Sequence, residues 1–318
     1  MLEVEKNSVA MLTDQSVFAK DTLVKGKPAR IECVRIADQT YSIERGPLTI
    51  VRLEDEWYED VKDPDAVVKS LLENSEVRPD IFTFWQRLPD LEPKYQFHLE
   101  WQTISALPVP SYGDWFNRQI KSRVRTSIRK SEREGVVVKE TTFDDAFVQG
   151  MTEIFNEAPT RQGTKFWHYG KDFETIKRQF SRFLYREDMI GAYYEGQMIG
   201  FIMLGNTGRF GLTGQIISSI KHRDKQTNYA LIAKAVEVCE KRGLAHLVYL
   251  LWTDDSLTEF KRRCGFERTP VPRYYVPLTL KGRLGLKLGL HRGWQALLPK
   301  PMKASLKRLR IAWHSRQD

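Results

Sequence analysis

Apolar positions along the chain recur with two periods. From Ala29 to Leu53 they come in short strand-like runs (Ile31, Val34, Ile36, Tyr41, Ile43, Ile50, Val51), broken by turn signals at Asp38-Gln39 and Gly46-Pro47. A short helix is expected after Asp63-Pro64, with Val67, Leu71 and Leu72 as its apolar positions. Pro79, Pro89 and Pro93 then punctuate an aromatic loop ahead of a strand over Phe97–Leu107. Together these predict a small α+β domain over residues 1–110, behind about 20 mixed polar residues that read as a lead-in.

The helical period takes over next. Phe116, Ile120, Val124 and Ile128 recur every four residues and predict one helix from Gly113 to Glu134, with Gly135 as its C′ residue. Its other faces carry Arg118, Lys121, Arg123, Arg125, Arg129, Lys130 and Arg133. Beyond it the predicted order is β-α-α-β-β-β-α-β-α-β. That order includes a hairpin turn at Glu195-Gly196, a helix over Asn228–Arg242 stopped by Gly243, and a capping box at Ser256-x-x-Glu259. A second domain is therefore expected over 111–280.

Composition mainly excludes. With 8 Trp, 12 Tyr and 16 Phe in 318 residues, a disordered, collagen-like or coiled-coil chain is ruled out. No run of about 18 apolar residues predicts a spanning helix, and the opening MLEVEKNSVAML lacks a basic-then-apolar leader. Cys33, Cys239 and Cys264 lie too far apart for a zinc pattern or a disulfide framework, which suits a reducing, cytoplasmic location with no metal expected. The net charge of +9 is local. Ten basic residues and one acid fall in 281–318, so the first 280 residues balance. That segment reads as a basic appendage concerned with docking, separable from the chemistry. Residues after Pro301 predict an amphipathic helix with Met302, Leu306, Leu309 and Trp313 on one face, which fits either a membrane-surface anchor or a helix packed on the body.

The element order resembles the GNAT acyltransferase superfamily over about residues 135–280. In detail it is similar to FemAB-type aminoacyltransferases, which carry two copies of the fold. The resemblance rests on VRTSIRKSEREGVVVKE (Val124–Glu140), ALIAKAVEVCEKRG (Ala230–Gly243) and LTEFKRRCGFE (Leu257–Glu267), the last holding the pair Gly265-Phe266. It implies a mixed central sheet that splays open, with an acyl donor in the gap. Backbone N–H groups would polarise the donor carbonyl, and a helix N-terminus would hold phosphate. The first task would fall to Phe210–Ile220, where Gly211 and Gly214 permit a bulge beside Gln215. The second would fall to the start of the Asn228 helix. Two departures stand out. His222–Asn228 (HRDKQTN) has no glycine where a coenzyme A loop is glycine-rich, so His222, Arg223 and Lys225 would bind phosphate by side chain, or the donor is an aminoacyl-tRNA, as FemAB-type enzymes use. Lys261 occupies the position at which many members carry a tyrosine that protonates the leaving thiolate.

The densest polar stretch is Phe155–Asp172 (FNEAPTRQGTKFWHYGKD), on the acceptor side of the implied cleft. An acceptor amine must lose a proton to attack, which makes Glu157 and His168 the candidate bases. Tyr169 and Lys261 are further catalytic candidates, and Asn156, Arg161, Gln162 and Trp167 are candidates for holding the acceptor. The competing reading is a loop whose polar groups merely cap helix ends. The first functional reading is thus an N-acyltransferase using acyl-CoA or aminoacyl-tRNA on an amine-bearing acceptor, such as a cell-envelope or lipid-linked precursor. An anionic membrane face or tRNA would meet the basic tail and basic helix. The second reading is a non-catalytic GNAT-like scaffold that binds a membrane or nucleic acid.

Overall fold

The computed structural model describes residues 16–24, 27–161, 163–182, 184–253 and 256–293. The chain forms two compact units, the first made of Met1–Arg87, Glu92–Glu100 and Pro272–Asp318, the second of Leu88–Leu91 and Trp101–Val271. The sequence places boundaries at 110 and 280, whereas the chain passes between these units at 87, 91, 100 and 271. The physical reason is continuity of two strands, each of which runs through both units. A strand's alternating pattern carries no mark of where it changes core.

The first unit is built from β1 (Val17–Val24), β2 (Lys27–Ile36), β3 (Gln39–Glu44), β4 (Ile50–Leu53), helix α1 (Pro64–Glu73) and β5 (Ile81–Trp85). Asp63 caps α1 by accepting from the Ala66 amide at 3.0 Å, and Val67 and Leu71 turn inward. Strands β1 to β4 form an antiparallel meander, and β4 pairs with β5 in parallel. The core clusters Tyr41, Val51, Phe82, Phe84 and Tyr274.

β6 (His98–Pro108) leads into the second unit, followed by a turn of helix, α2 (Tyr112–Asp114), a π-helical turn over Trp115–Gln119, and α3 (Ser122–Arg133). The single helix expected over 113–134 is therefore broken at Ile120, whose ψ of 148° is extended. Arg125 stabilises the break by giving its guanidinium to the carbonyls of Phe116, Asn117 and Ile120 at 3.3, 3.4 and 2.6 Å. The break keeps Trp115, Ile120, Val124 and Ile128 in one core. Next come β7 (Val137–Thr141), α4 (Asp145–Phe155), the two-residue strands β8 (Thr160–Arg161) and β9 (Thr164–Lys165), and α5 (Phe173–Phe180). The sheet continues with β10 (Glu187–Tyr194), β11 (Gln197–Asn206) and β12 (Gly211–Ser218), then α6 (Thr227–Lys241), β13 (His246–Leu251) and α7 (Ser256–Arg263). β14 (Glu267–Pro277) returns to the first unit, where it pairs with β5, and α8 (Leu280–Lys287) follows. Helix α8 belongs to that unit's fold, so 281–318 is not wholly an appendage. The helix expected after Pro301 lies outside the described residues.

In the second unit the strand order is β6-β13-β12-β11-β10-β7, antiparallel except for the parallel pair β12·β13. The expected hairpin turn is present, with Glu195 and Gly196 at φ 50° and 80° as a tight two-residue connection demands. No helix among the described residues is long and apolar enough to cross a membrane.

Candidate functional site at the parting of two strands

Strands β12 and β13 pair over only two rungs, Gly211 with Leu247 and Leu212 with Val248. Beyond them the sheet parts. The register between β11 and β12 shifts there, since Leu204 faces Thr213 while Met203 faces Gln215, leaving Gly214 as the extra residue of a bulge. A Cβ on Gly214 would stand 3.3 Å from the Met203 carbonyl oxygen, so the bulge is close-fitted around bare backbone. On the other side, β13 carries its own irregularity between Val248 and Leu251, with Leu250 at φ 49°. Each strand thus departs from regular pairing two residues past the last shared rung, at Gly214 and at Leu250.

Lys261 secures the β13 side. It is 2% exposed, and its ammonium donates to Ser105 Oγ at 3.0 Å and to the carbonyls of Tyr249 and Leu251 at 2.9 and 3.0 Å. Those carbonyls flank the irregular residue, so the cation compensates backbone groups freed by the bulge. This is a structural assignment, in contrast to the proton-donor role implied by its position before Gly265-Phe266.

Glu157 secures the β12 side. Its carboxylate accepts from Ser219 Oγ, from the Ile220 amide at 2.6 Å and from Arg161 at 3.2 Å. Arg161 also donates to the carbonyls of Ser218 and Ile154 at 2.8 and 2.6 Å. Burial, with Arg223 nearby, pulls the Arg161 pKa below its usual value, and Glu157 opposes that shift. The pair therefore ties the end of β12 to α4, and it brings together two residues that the sequence assigns to different tasks.

The rest of the loop is also spent on structure. Asn156 donates to the carbonyls of Thr152 and Lys171 at 3.0 and 2.9 Å and accepts from the Gly170 amide at 2.7 Å. Asp172 caps α5 by accepting from the Thr175 amide at 2.8 Å. His168 is 1% exposed and stacks on Phe155, with ring centroids 4.2 Å apart and Phe166, Trp167 and Phe180 around it. Burial among these rings, followed by the charges of Lys171 and Arg161, lowers its pKa to about 3. A base for an acceptor amine must meet the amine, and this imidazole is enclosed. Trp167 and Tyr169 are each 46% exposed, the former with Lys171 Nζ 4.1 Å above its ring. Gln162 lies outside the described residues.

Helix α6 opens beside the parting. Gln226 enters it at φ 57°, a left-handed conformation. Thr227 Oγ1 and Asn228 Oδ1 are buried with no hydrogen-bond partner among the described residues. Lys225 lies over the Tyr194 ring at 4.3 Å and reaches Glu134 at 3.7 Å, while the His222 and Tyr194 rings are 5.7 Å apart. Sequence reasoning missed Thr227 and Ser219. The former lies one residue before the expected helix start, and the latter in an unremarkable Ser-Ser pair. It also missed a tie between the helices that follow the two strands: Tyr229 of α6 and Phe260 of α7 have ring centroids 5.2 Å apart. Elsewhere in the unit, a recess of about 300 Å³ beside Phe147, Gly150, Tyr193 and Met198 involves no residue of β12, β13 or α6.

A mixed sheet that parts after a bulged strand, with a helix N-terminus at the gap, defines a GNAT-like fold of the FemAB kind. FemX matches it with a TM-score of 0.56 at 10% identity, over 86% of this chain and 90% of FemX. L-PGS from Bacillus licheniformis gives a TM-score of 0.53 at 13% identity, over 88% of each chain. A C-terminal domain assigned to a lysylphosphatidylglycerol synthetase from Agrobacterium fabrum gives 0.53 at 11%, over 85% of this chain and 87% of that one. No family model and no curated protein matches the sequence. At these identities the likeness establishes the fold.

Proposed function

We propose that this chain is a transferase that moves an acyl or aminoacyl group from acyl-CoA or aminoacyl-tRNA onto an amine-bearing acceptor, a cell-envelope precursor or lipid-linked amine. The observation that carries this reading is the bulge at Gly214 where β12 and β13 part, together with an α6 N-terminus at which two buried polar atoms lack partners among the described residues. Backbone at 214–215 would hold the donor carbonyl, and Thr227, Asn228 and Arg223 would face its phosphate or ribose. The acceptor nitrogen attacks the carbonyl carbon in a ternary complex. A C–N bond forms, the thioester C–S or ester C–O bond breaks, the amine loses a proton and the leaving group gains one. Glu157 and Arg161 act as positioning residues that fix the end of β12. The named neighbours, FemX and a lysylphosphatidylglycerol synthetase, support an envelope or lipid acceptor.

The second reading, a scaffold without catalysis, draws support from the Tyr229–Phe260 contact between the helices flanking the gap and from the engagement of Glu157 and Lys261 in structure. Native mass spectrometry separates the two. A complex with acyl-CoA or with aminoacyl-tRNA that weakens at least ten-fold in Thr227→Val is expected of the transferase. Binding of neither donor would overturn it.

A further inference from the structure

Helix α8 packs through its glycines, with Leu286 half-buried, and turns its other leucines outward. Gly282 and Gly285 are buried, and a Cβ on them would stand 2.0 Å from the Asp80 carbonyl oxygen and 2.6 Å from the Leu48 side chain. Leu280, Leu284 and Leu288 are 81%, 57% and 54% exposed. At about 100° per residue these three share an arc of about 80°, with Lys281 at one border and Arg283 and Lys287 at the other.

This outward face belongs to a helix that is fixed at both ends. Thr279 caps it, accepting from the Gly282 amide at 2.9 Å and donating to Asp80 at 2.8 Å, and Lys281 reaches the same carboxylate at 3.0 Å. Past its C-terminal end, His291 and Arg292 both hold Glu100 at 2.8 Å. A helix that served only to cover its own unit would bury leucines and expose glycines, because burial of apolar area is what stabilises such packing. Here the arrangement is reversed.

We propose that the leucine face of α8 is a docking surface for an anionic lipid bilayer. Its apolar arc would sit at the acyl boundary, while Arg283 and Lys287 at its border extend to the headgroups, a division of labour that long basic side chains allow. A second copy of the chain fits the charge less well, since a two-fold contact would bring the same cations against each other. Nucleic acid would engage the cations and leave the leucines unused.

The test uses the full chain and vesicles of phosphatidylglycerol and phosphatidylcholine, against phosphatidylcholine alone, read by flotation. The wild-type protein partitions with the anionic vesicles, and L280S/L284S/L288S, which keeps every basic residue, loses at least ten-fold. Leu284→Cys carrying an environment-sensitive dye shifts to the blue on those vesicles; Cys33, Cys239 and Cys264 are buried and remain unlabelled. This single-site readout decides the matter if the triple variant folds poorly. The proposal is overturned if the wild type stays with the buffer, if the triple variant binds equally well, or if the leucine changes abolish only a dimer seen by sedimentation. These readouts involve no turnover, so their failure leaves the transfer chemistry untouched, and the reverse holds too.

Discussion

Replacing His168 by Phe separates a base from a filled core. The imidazole lies in a cage of Phe155, Phe166, Trp167 and Phe180 with its Nδ1 lacking a hydrogen-bond partner among the described residues. Its folded pKa is lowered to about 3, from the 6.5 of an ordinary imidazole, which applies to the unfolded chain. Between these values the unfolded state binds the extra proton, so stability is complete above about pH 6.5 and falls as pH drops toward 3. The slope approaches about 1.4 kcal/mol per pH unit, which makes the loss at pH 5 about 2 kcal/mol. Urea titrations at pH 8 and pH 5 should show that much more loss for the wild type than for His168→Phe. The comparison cancels other histidines, including His246, whose pKa burial also lowers. A ring-proton resonance of His168 that titrates near 6.5, or a phenylalanine variant that folds fully yet cannot turn over, would refute the reasoning.

Three further substitutions test the supports of the parting strands and of α8. Lys261→Met leaves the carbonyls of Tyr249 and Leu251 and the Ser105 hydroxyl without their shared donor, and should cost about 2–4 kcal/mol in a urea titration. Glu157→Gln removes a carboxylate that accepts three bonds; we expect about 2 kcal/mol of lost stability and faster exchange of the Ile220 amide, whereas lost turnover at unchanged exchange would make it the base. Gly282→Ala places a methyl against the Asp80 carbonyl, and a melt should register a loss of about 2 kcal/mol or more.

Much of the second unit was legible because its elements announce themselves locally. The stripe Phe116-Ile120-Val124-Ile128, the Glu195-Gly196 turn and the stop at Gly243 each depend on neighbours a few residues away. The break at Ile120 was not legible, because the group that makes it tolerable, Arg125, looks like any other cation on a basic helix. The unit boundaries were hidden for the same kind of reason: β6 and β14 each serve two cores without a change of pattern. At the site, the bulge at Gly214 could be read from glycine spacing, and so could the dense polar loop. What those polar groups do could not. Asn156, Glu157 and His168 are chemically able to act on a substrate, and only their partners assign them to holding the loop and the end of β12.

The division between satisfied and unsatisfied buried groups bears on where chemistry would occur. Leaving a buried donor or acceptor without a partner costs about 1–3 kcal/mol, and folded chains avoid it. Around the parting strands the large charged groups avoid it: Lys261 has three acceptors and Glu157 three donors. Among the described residues Thr227 Oγ1 and Asn228 Oδ1 lack partners, as do Thr213 Oγ1 and His168 Nδ1, but only the first two are adjacent at the start of α6, where free backbone amides also favour an anion. A hydroxyl can donate to a phosphate oxygen, and an asparagine amide can present either its oxygen or its nitrogen. Asn228, which the sequence puts forward for the donor, and Thr227, which it does not, therefore carry the donor side of the proposed function.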